Sequence, residues 1–190
     1  QAKQFIDFGK WTLMGKTLER IKKSIFDSPI ISTNLKYIKE IKKLLKEYKI
    51  KKYKIVLEPA KMNTSPAILS ASLIKEIPYS QPLVFLSTDH LIEKEHIFYK
   101  ELTKNIKNLT NRNIFIFGIK PVTPSSNYGY FLTKKKKKIN QVIKFIEKPS
   151  KSKAKNLITK KGYWNSGMFF LRKDSIINNF KKYQLITYKN

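Results

Sequence analysis

The stretch "PLVFLSTDH", Pro82 to His90, decides the fold. Its first half is a continuous apolar run, the pattern of a strand buried on both faces in a parallel sheet. It ends in a polar turn that carries an acid, Asp89. Working outward, the periodicity switches repeatedly between helix and strand. Upstream, Leu13, Leu18, Ile21 and Ile25 predict a first helix and "PIIST" a short strand. Leu35, Ile38, Ile41, Leu45 and Tyr48 share one face of a second helix, and "YKIVLEP" is a strand stopped by Pro59. "SPAILSASLIKEI" predicts a buried helix with proline in its first turn. Downstream come a helix through Phe98 and Leu102, the strand "NIFIFGI", and strands around "YGYF" and "QVIKFIE". A helix near Lys151 to Leu157, the strand "SGMFFL" and a helix from Lys173 complete the chain. Alternating β and α elements predict an open, mostly parallel α/β sheet.

Composition sets the outer bounds. At 190 residues the chain is one domain's worth, and 41% apolar with 13% aromatic residues is enough for a core. No apolar run approaches the roughly 18 residues of a membrane span. These residues show no n-region, h-region and cleavage site, and the expectation is a cytoplasmic location with no membrane partner. The absence of cysteine excludes a disulfide scaffold. A net charge of +27 would ordinarily suggest a polyanion partner. Only Arg20, Arg112 and Arg172 are arginines, however, and phosphate or base recognition favours arginine's planar fork. Lysine accompanies an excess of isoleucine and asparagine throughout, the signature of AT-rich codons. It also falls on predicted helix faces, as in "KYIKEIKKLLKEYK". Nucleic acid is therefore an unfavoured partner, although the cationic surface still attracts small anions. The run Lys134 to Lys138 reads as a solvated hairpin tip.

"GKWTLMGKT", Gly9 to Thr17, superficially matches a phosphate-binding loop. That loop needs four residues between its first glycine and Gly-Lys-Thr, so that a ring of N–H groups closes on phosphate. Here five intervene, Lys10 to Met14, and Trp11 and Leu13 are bulky. The match is read as accidental.

In open α/β sheets ligands bind beyond the carboxyl ends of the strands, so the residues just after each strand carry the functional reading. Asp89 is well placed as a carboxylate ligand of Mg²⁺ bridging to phosphate oxygens, and equally suits the N-cap of a following helix. His90 and His96, with Glu93 and Glu95 between them, fit no standard zinc spacing. In "FIEKPS" an acid and a base end a strand side by side. Adjacent strand residues point to opposite faces, but the proline turn relaxes this, so that Glu147 can accept from hydroxyls and Lys148 can meet a phosphate. Asn165 of "YWNSGMFF" donates and accepts, and Gly129 of "NYGY" permits close backbone approach. A sugar phosphate needs this mixture of groups.

Together and in this order, "KQF", "LEPAKMNTSPAI", "STDH", "FGIKPVTPSSNYGYF", "FIEKP" and "YWNSGMFF" resemble successive motifs of mannose-1-phosphate guanylyltransferases, which are sugar-nucleotide pyrophosphorylases. The resemblance covers almost the whole chain. It implies a Rossmann-like nucleotidyltransferase fold, a mostly parallel mixed sheet with helices on both faces, forming one domain over residues 1–190. It implies transfer of GMP from GTP to mannose 1-phosphate, releasing pyrophosphate, with Mg²⁺ as cofactor. By that resemblance Lys3 neutralises triphosphate charge, and Asp89 is the first Mg²⁺ ligand. Glu58, Asn63 and Thr64 lie against the nucleotide, while Gly129, Glu147, Lys148 and Asn165 hold the sugar phosphate. A homo-oligomer is compatible with it.

The chain also departs from the family pattern. The family's glycine-rich phosphate loop would precede "KQF", and its second metal-binding aspartate would follow the last helix. The chain is therefore expected to be a fragment truncated at both ends and inactive alone. Met62 stands where arginine is usual, and Ser125 and Ser126 replace an acid and a threonine. Two other readings stay open: a sister enzyme using another sugar or nucleotide, and a non-catalytic basic protein that binds nucleic acid or regulates on the same fold.

Overall fold

A computed structural model describes residues 2–58, 64–136 and 139–189. The chain separates into two compact units, one of residues 1–114 with 170–190, the other of residues 115–169.

The first unit begins with a 3-10 turn at Lys3–Phe5 and helix α1, Leu13–Arg20. Thr12 caps α1 by accepting from Gly15 N, the side-chain cap that satisfies one of a helix's free N–H groups. Strand β1, Ile30–Thr33, pairs in parallel with β2, Lys54–Leu57, and helix α2, Ile38–Glu47, runs between them. Their apolar faces meet in a core of Phe5, Met14, Leu18, Ile31, Ile41, Leu44 and Leu45. Two predicted residues fall elsewhere. Leu35 sits in a separate 3-10 turn at Leu35–Tyr37 and is 68% exposed, and Ile25 lies beyond the end of α1. The apolar spacing continued past both helix ends, but the backbone did not.

Helix α3, Thr64–Ser72, stops earlier than "SPAILSASLIKEI" predicts. The segment after it is fastened by buried Lys173, whose Nζ donates to the carbonyls of Ile74 at 2.7 Å and Ile77 at 2.8 Å. Strand β3 is Pro82–Phe85, and helix α4 is Glu95–Asn105. Arg20, only 1% exposed, donates through Nε to Glu95 Oε1 at 2.9 Å. The Tyr99 hydroxyl donates to Glu95 Oε2 at 2.8 Å, closing a three-residue network between α1 and α4. Burial first, then the bond to Glu95, pushes the Tyr99 phenol up to about 12.

The second unit contains strands β4, Ile114–Ile119 (from Phe115 on), β5, Tyr130–Lys136, and β6, Ile139–Ile146. Helix α5, Lys151–Thr159, follows, and then strand β7, Tyr163–Arg172, whose last three residues belong with the first unit. α5 covers one face of the sheet, where Tyr130, Ala154 and Leu157 are buried among Leu132, Ile146, Ile158 and Trp164. The chain ends in the first unit with helices α6, Lys173–Tyr183, and α7, Leu185–Lys189.

The α/β alternation holds, but the strand directions correct the sequence reading. The strand order is β3-β7-β5-β6, with β4 also on β7, and β5 is antiparallel to both β6 and β7. The larger sheet is mostly antiparallel, whereas β1 and β2 of the smaller sheet pair in parallel. A parallel pair needs a crossover of a dozen or more residues, which residues 34–53, α2 among them, supply to β1 and β2. β5 and β6 lie two residues apart in sequence, too close for any crossover. The predicted tip of this hairpin includes residues 137 and 138, which lie outside the described residues.

Candidate functional site

In the second unit three of the four expected sugar-phosphate residues form a row across three strands. Tyr130 is registered with Ile146 on β6 and with Trp164 on β7. One step back, Gly129 therefore lies between Glu147 and Asn165, and Asn165 N donates to Gly129 O at 2.8 Å. A β-carbon on Gly129 would stand 2.7 Å from Glu147 Oε2 and 2.9 Å from Phe145 Cζ, so only glycine allows this packing. Asn165 Oδ1 accepts from Gly167 N at 3.2 Å within β7, where Gly167 has φ +71°. Lys148 has φ +39°, so the chain leaves extended geometry directly after Glu147 and strict alternation ends there. Among the described residues no ion pair joins Lys148 to Glu147.

The loop before Gly129 is anchored from beneath. Tyr130, fully buried, receives a hydrogen bond from Ser125 N and donates one to Ser125 O, both at 3.1 Å. Register across three strands is not written in any one segment, so the sequence could name these residues but not their adjacency. Phe145 was missed for the same reason.

In the first unit Glu58 follows β2, and its N–H donates to Thr33 O at 2.9 Å. Its Oε1 accepts from Ser32 Oγ at 2.5 Å, and its carbonyl accepts from Asn34 Nδ2 at 3.3 Å. Glu58 thus ties the ends of β1 and β2 together, a role not foreseen for a nucleotide contact. Thr64 opens α3 and is exposed, as is Lys3 in the first turn of the chain. Asn63 and Met62 lie outside the described residues.

Asp89 is exposed a few residues past β3, and Ser87 Oγ donates to its Oδ1. Its N-cap alternative is removed, because α4 begins at Glu95 with Lys94 in the cap position. The carboxylate suits a hard cation such as Mg²⁺, which commonly takes one or two carboxylates and completes its shell with water and phosphate oxygens. His90 Nε2 is 3.8 Å from Asp89 Oδ1. Among the described residues no group of three acidic, histidine or cysteine side chains could hold a metal, and Glu95 is committed to Arg20 and Tyr99. A zinc site is not formed there.

The Gly-Lys-Thr of α1 has a packing explanation. A β-carbon on Gly15 would lie 2.3 Å from Tyr48 Oη, so this glycine admits a tyrosine ring against α1.

Residues 1–188 match the nucleotidyl transferase family, and the chain belongs to that family. Its α/β architecture is that of a nucleotidyltransferase. Among curated relatives, a mannose-1-phosphate guanylyltransferase of Sinorhizobium fredii (strain NBRC 101917 / NGR234) is 32% identical over 189 residues, covering 96% of this chain and 37% of that protein. One of Klebsiella pneumoniae is 29% identical over 190 residues, covering 96% and 40%. The chain therefore spans about 40% of the length of the curated relatives it matches. A solved structure from Thermus thermophilus, described as a mannose-1-phosphate geranyltransferase, superposes with a TM-score of 0.84 at 22% identity, covering 98% of this chain and 55% of that one. That likeness speaks for the fold alone. Among the described residues no helix is long and apolar enough to cross a membrane.

Proposed function

We propose that this chain is the nucleotidyltransferase part of an enzyme that transfers GMP from GTP to mannose 1-phosphate. The observation that carries the reading is the row formed by Gly129 just before β5, Glu147 just after β6 and Asn165 on β7. It sets a carboxylate and an amide side by side across a glycine, groups that sugar hydroxyls and a phosphate need.

In the proposed reaction a phosphate oxygen of mannose 1-phosphate attacks the α-phosphorus of GTP. The bond from that phosphorus to the bridging oxygen of the β-phosphate breaks, and pyrophosphate leaves. Such a step needs little covalent help from the protein and depends on positioning and charge neutralisation. Glu147 accepts from sugar hydroxyls, Asn165 donates and accepts beside it, and Lys148 meets the phosphate. Lys3 offsets triphosphate charge, and Glu58, Asn63 and Thr64 border the nucleotide. Asp89 is the residue that would hold Mg²⁺, which when bound supplies charge stabilisation to phosphate oxygens. The nucleic-acid reading loses ground because two of the three arginines are spent inside the fold, Arg20 on Glu95 and Arg172 on Asp174.

The test is pyrophosphate release by the protein from its complete reading frame, given Mg²⁺, GTP and mannose 1-phosphate. ATP, UTP and glucose 1-phosphate serve as controls. Turnover selective for GTP with mannose 1-phosphate is expected. Selectivity for another pair would point to a sister enzyme, and no turnover from folded protein would refute the catalytic reading.

A further inference from the structure

The second unit's sheet has two unlike faces. Tyr130, Ile146 and Trp164 share the face covered by α5. Alternation puts Phe131, Phe145 and Tyr163 on the other face, where Phe131 is registered with both Phe145 and Tyr163. Phe131 and Tyr163 stack with centroids 5.7 Å apart at 27°, and Phe131 is buried. Phe145, next in this aromatic row, remains 48% exposed. Two residues on, Glu147 stands on the same face.

A lone exposed phenylalanine is ordinary on a protein surface. The setting of Phe145 is not. Its ring tip and the Glu147 carboxylate converge on the space where Gly129 lacks a side chain, at 2.9 Å and 2.7 Å from the missing β-carbon. An apolar ring and a hydroxyl acceptor are thereby held side by side over bare backbone. A pyranose has the matching anatomy, with a patch of C–H groups on one face and hydroxyls at its rim. The electron-rich face of an aromatic ring attracts such weakly positive hydrogens. Small-molecule sites commonly combine apolar or aromatic walls with a few placed polar groups.

We infer that Phe145 is the apolar wall of the sugar-phosphate site, stacking on the C–H face of the hexose whose hydroxyls Glu147 accepts. The inference rests on the sugar-phosphate reading of the Gly129–Glu147–Asn165 row and adds a specificity residue to it. Phe145 selects for the carbohydrate part of the ligand, and inorganic phosphate alone gains nothing from the ring.

The experiment is saturation-transfer NMR, with the protein's aromatic protons irradiated and mannose 1-phosphate as the observed ligand. Wild type should transfer saturation to the ring C–H protons of one sugar face. Phe145→Ala should lose that transfer and bind roughly 3- to 10-fold more weakly, the range for a single aromatic contact. Phe145→Tyr should restore both. Phe145→Leu keeps the bulk without the ring, and should fold and still bind weakly even if the alanine variant unfolds. Wild-type transfer left unchanged in both the alanine and leucine variants would overturn the wall and leave the sugar-phosphate reading standing. No transfer from mannose 1-phosphate to wild type, in protein shown to be folded, would remove that reading and this inference with it.

Discussion

Gly129→Ala isolates the geometry of the proposed site from the stability of the fold. Gly129 is not among the glycines with positive φ, so alanine meets no backbone strain there. The cost is local. Its β-carbon would fall 2.7 Å from Glu147 Oε2 and 2.9 Å from Phe145 Cζ. Ordinary carbon contacts begin near 3.5 Å, so both side chains must withdraw by roughly 0.6 Å or more. Both are exposed and free to move, and the fold should lose no more than about 1 kcal/mol. Catalysis is less forgiving, since displacement on the order of 1 Å can cost about 100-fold. We expect kcat/KM for mannose 1-phosphate to fall roughly 10- to 100-fold, about 1.4–2.8 kcal/mol, with KM for GTP unchanged. The assay is pyrophosphate release with each substrate varied in turn, beside urea unfolding. The double variant Gly129→Ala/Glu147→Ala sharpens the test. If the methyl acts by displacing the carboxylate, it should add little once the carboxylate is gone, and the two losses will be far from additive. Fully additive losses, or an undiminished Gly129→Ala enzyme, would refute the reasoning.

Other outcomes follow from single contacts. Gly15→Ala should leave GTP binding intact while lowering stability by about 1 kcal/mol, because displacing Tyr48 outweighs the gain in helix propensity; equilibrium unfolding and nucleotide titration check both halves. Tyr99, raised from 10.0 to about 12, keeps its proton in the folded state after the unfolded chain has released it. Its contribution is complete below pH 10, is lost as pH rises from 10 to about 12, and should vanish in Tyr99→Phe, as read from denaturation midpoints across that window. Asp89→Asn should reduce Mg²⁺-dependent turnover at least about 100-fold and raise the Mg²⁺ concentration needed, whereas Ser87→Ala, which removes only a hydrogen bond to that carboxylate, should cost far less.

Much of the fold was legible because its elements are local. Ile41 and Leu45 of the second helix announce themselves by helical spacing and both are buried, as is Leu44, which the reading of that face did not include. Strand direction was less accessible. A continuous apolar run suggests burial on two faces whichever way its neighbours point, and that is how "PLVFLSTDH" favoured a mostly parallel sheet. The spacing of β5 and β6 already contained the correction, since two intervening residues allow only a hairpin. Arg20 was invisible in a different way. A single arginine among lysines gives no sign that it will be buried against Glu95, 75 positions away.

The departures from the family pattern look different once the loop before Gly129 is seen. The resemblance set out from the sequence would put an acid and a threonine where Ser125 and Ser126 stand. The loop is anchored to the core by Tyr130, and both of those bonds go to the backbone of Ser125. Any residue can offer that N–H and carbonyl, so the anchoring survives the replacement. The Ser125 side chain adds a local bond of its own, accepting from Asn127 N at 3.2 Å. An acid at 125 could accept in the same way but would bring a negative charge into the loop that precedes the proposed sugar-phosphate row. The anchoring of the loop before Gly129 therefore does not depend on the side chain at position 125, and the proposed sugar-phosphate row keeps its support.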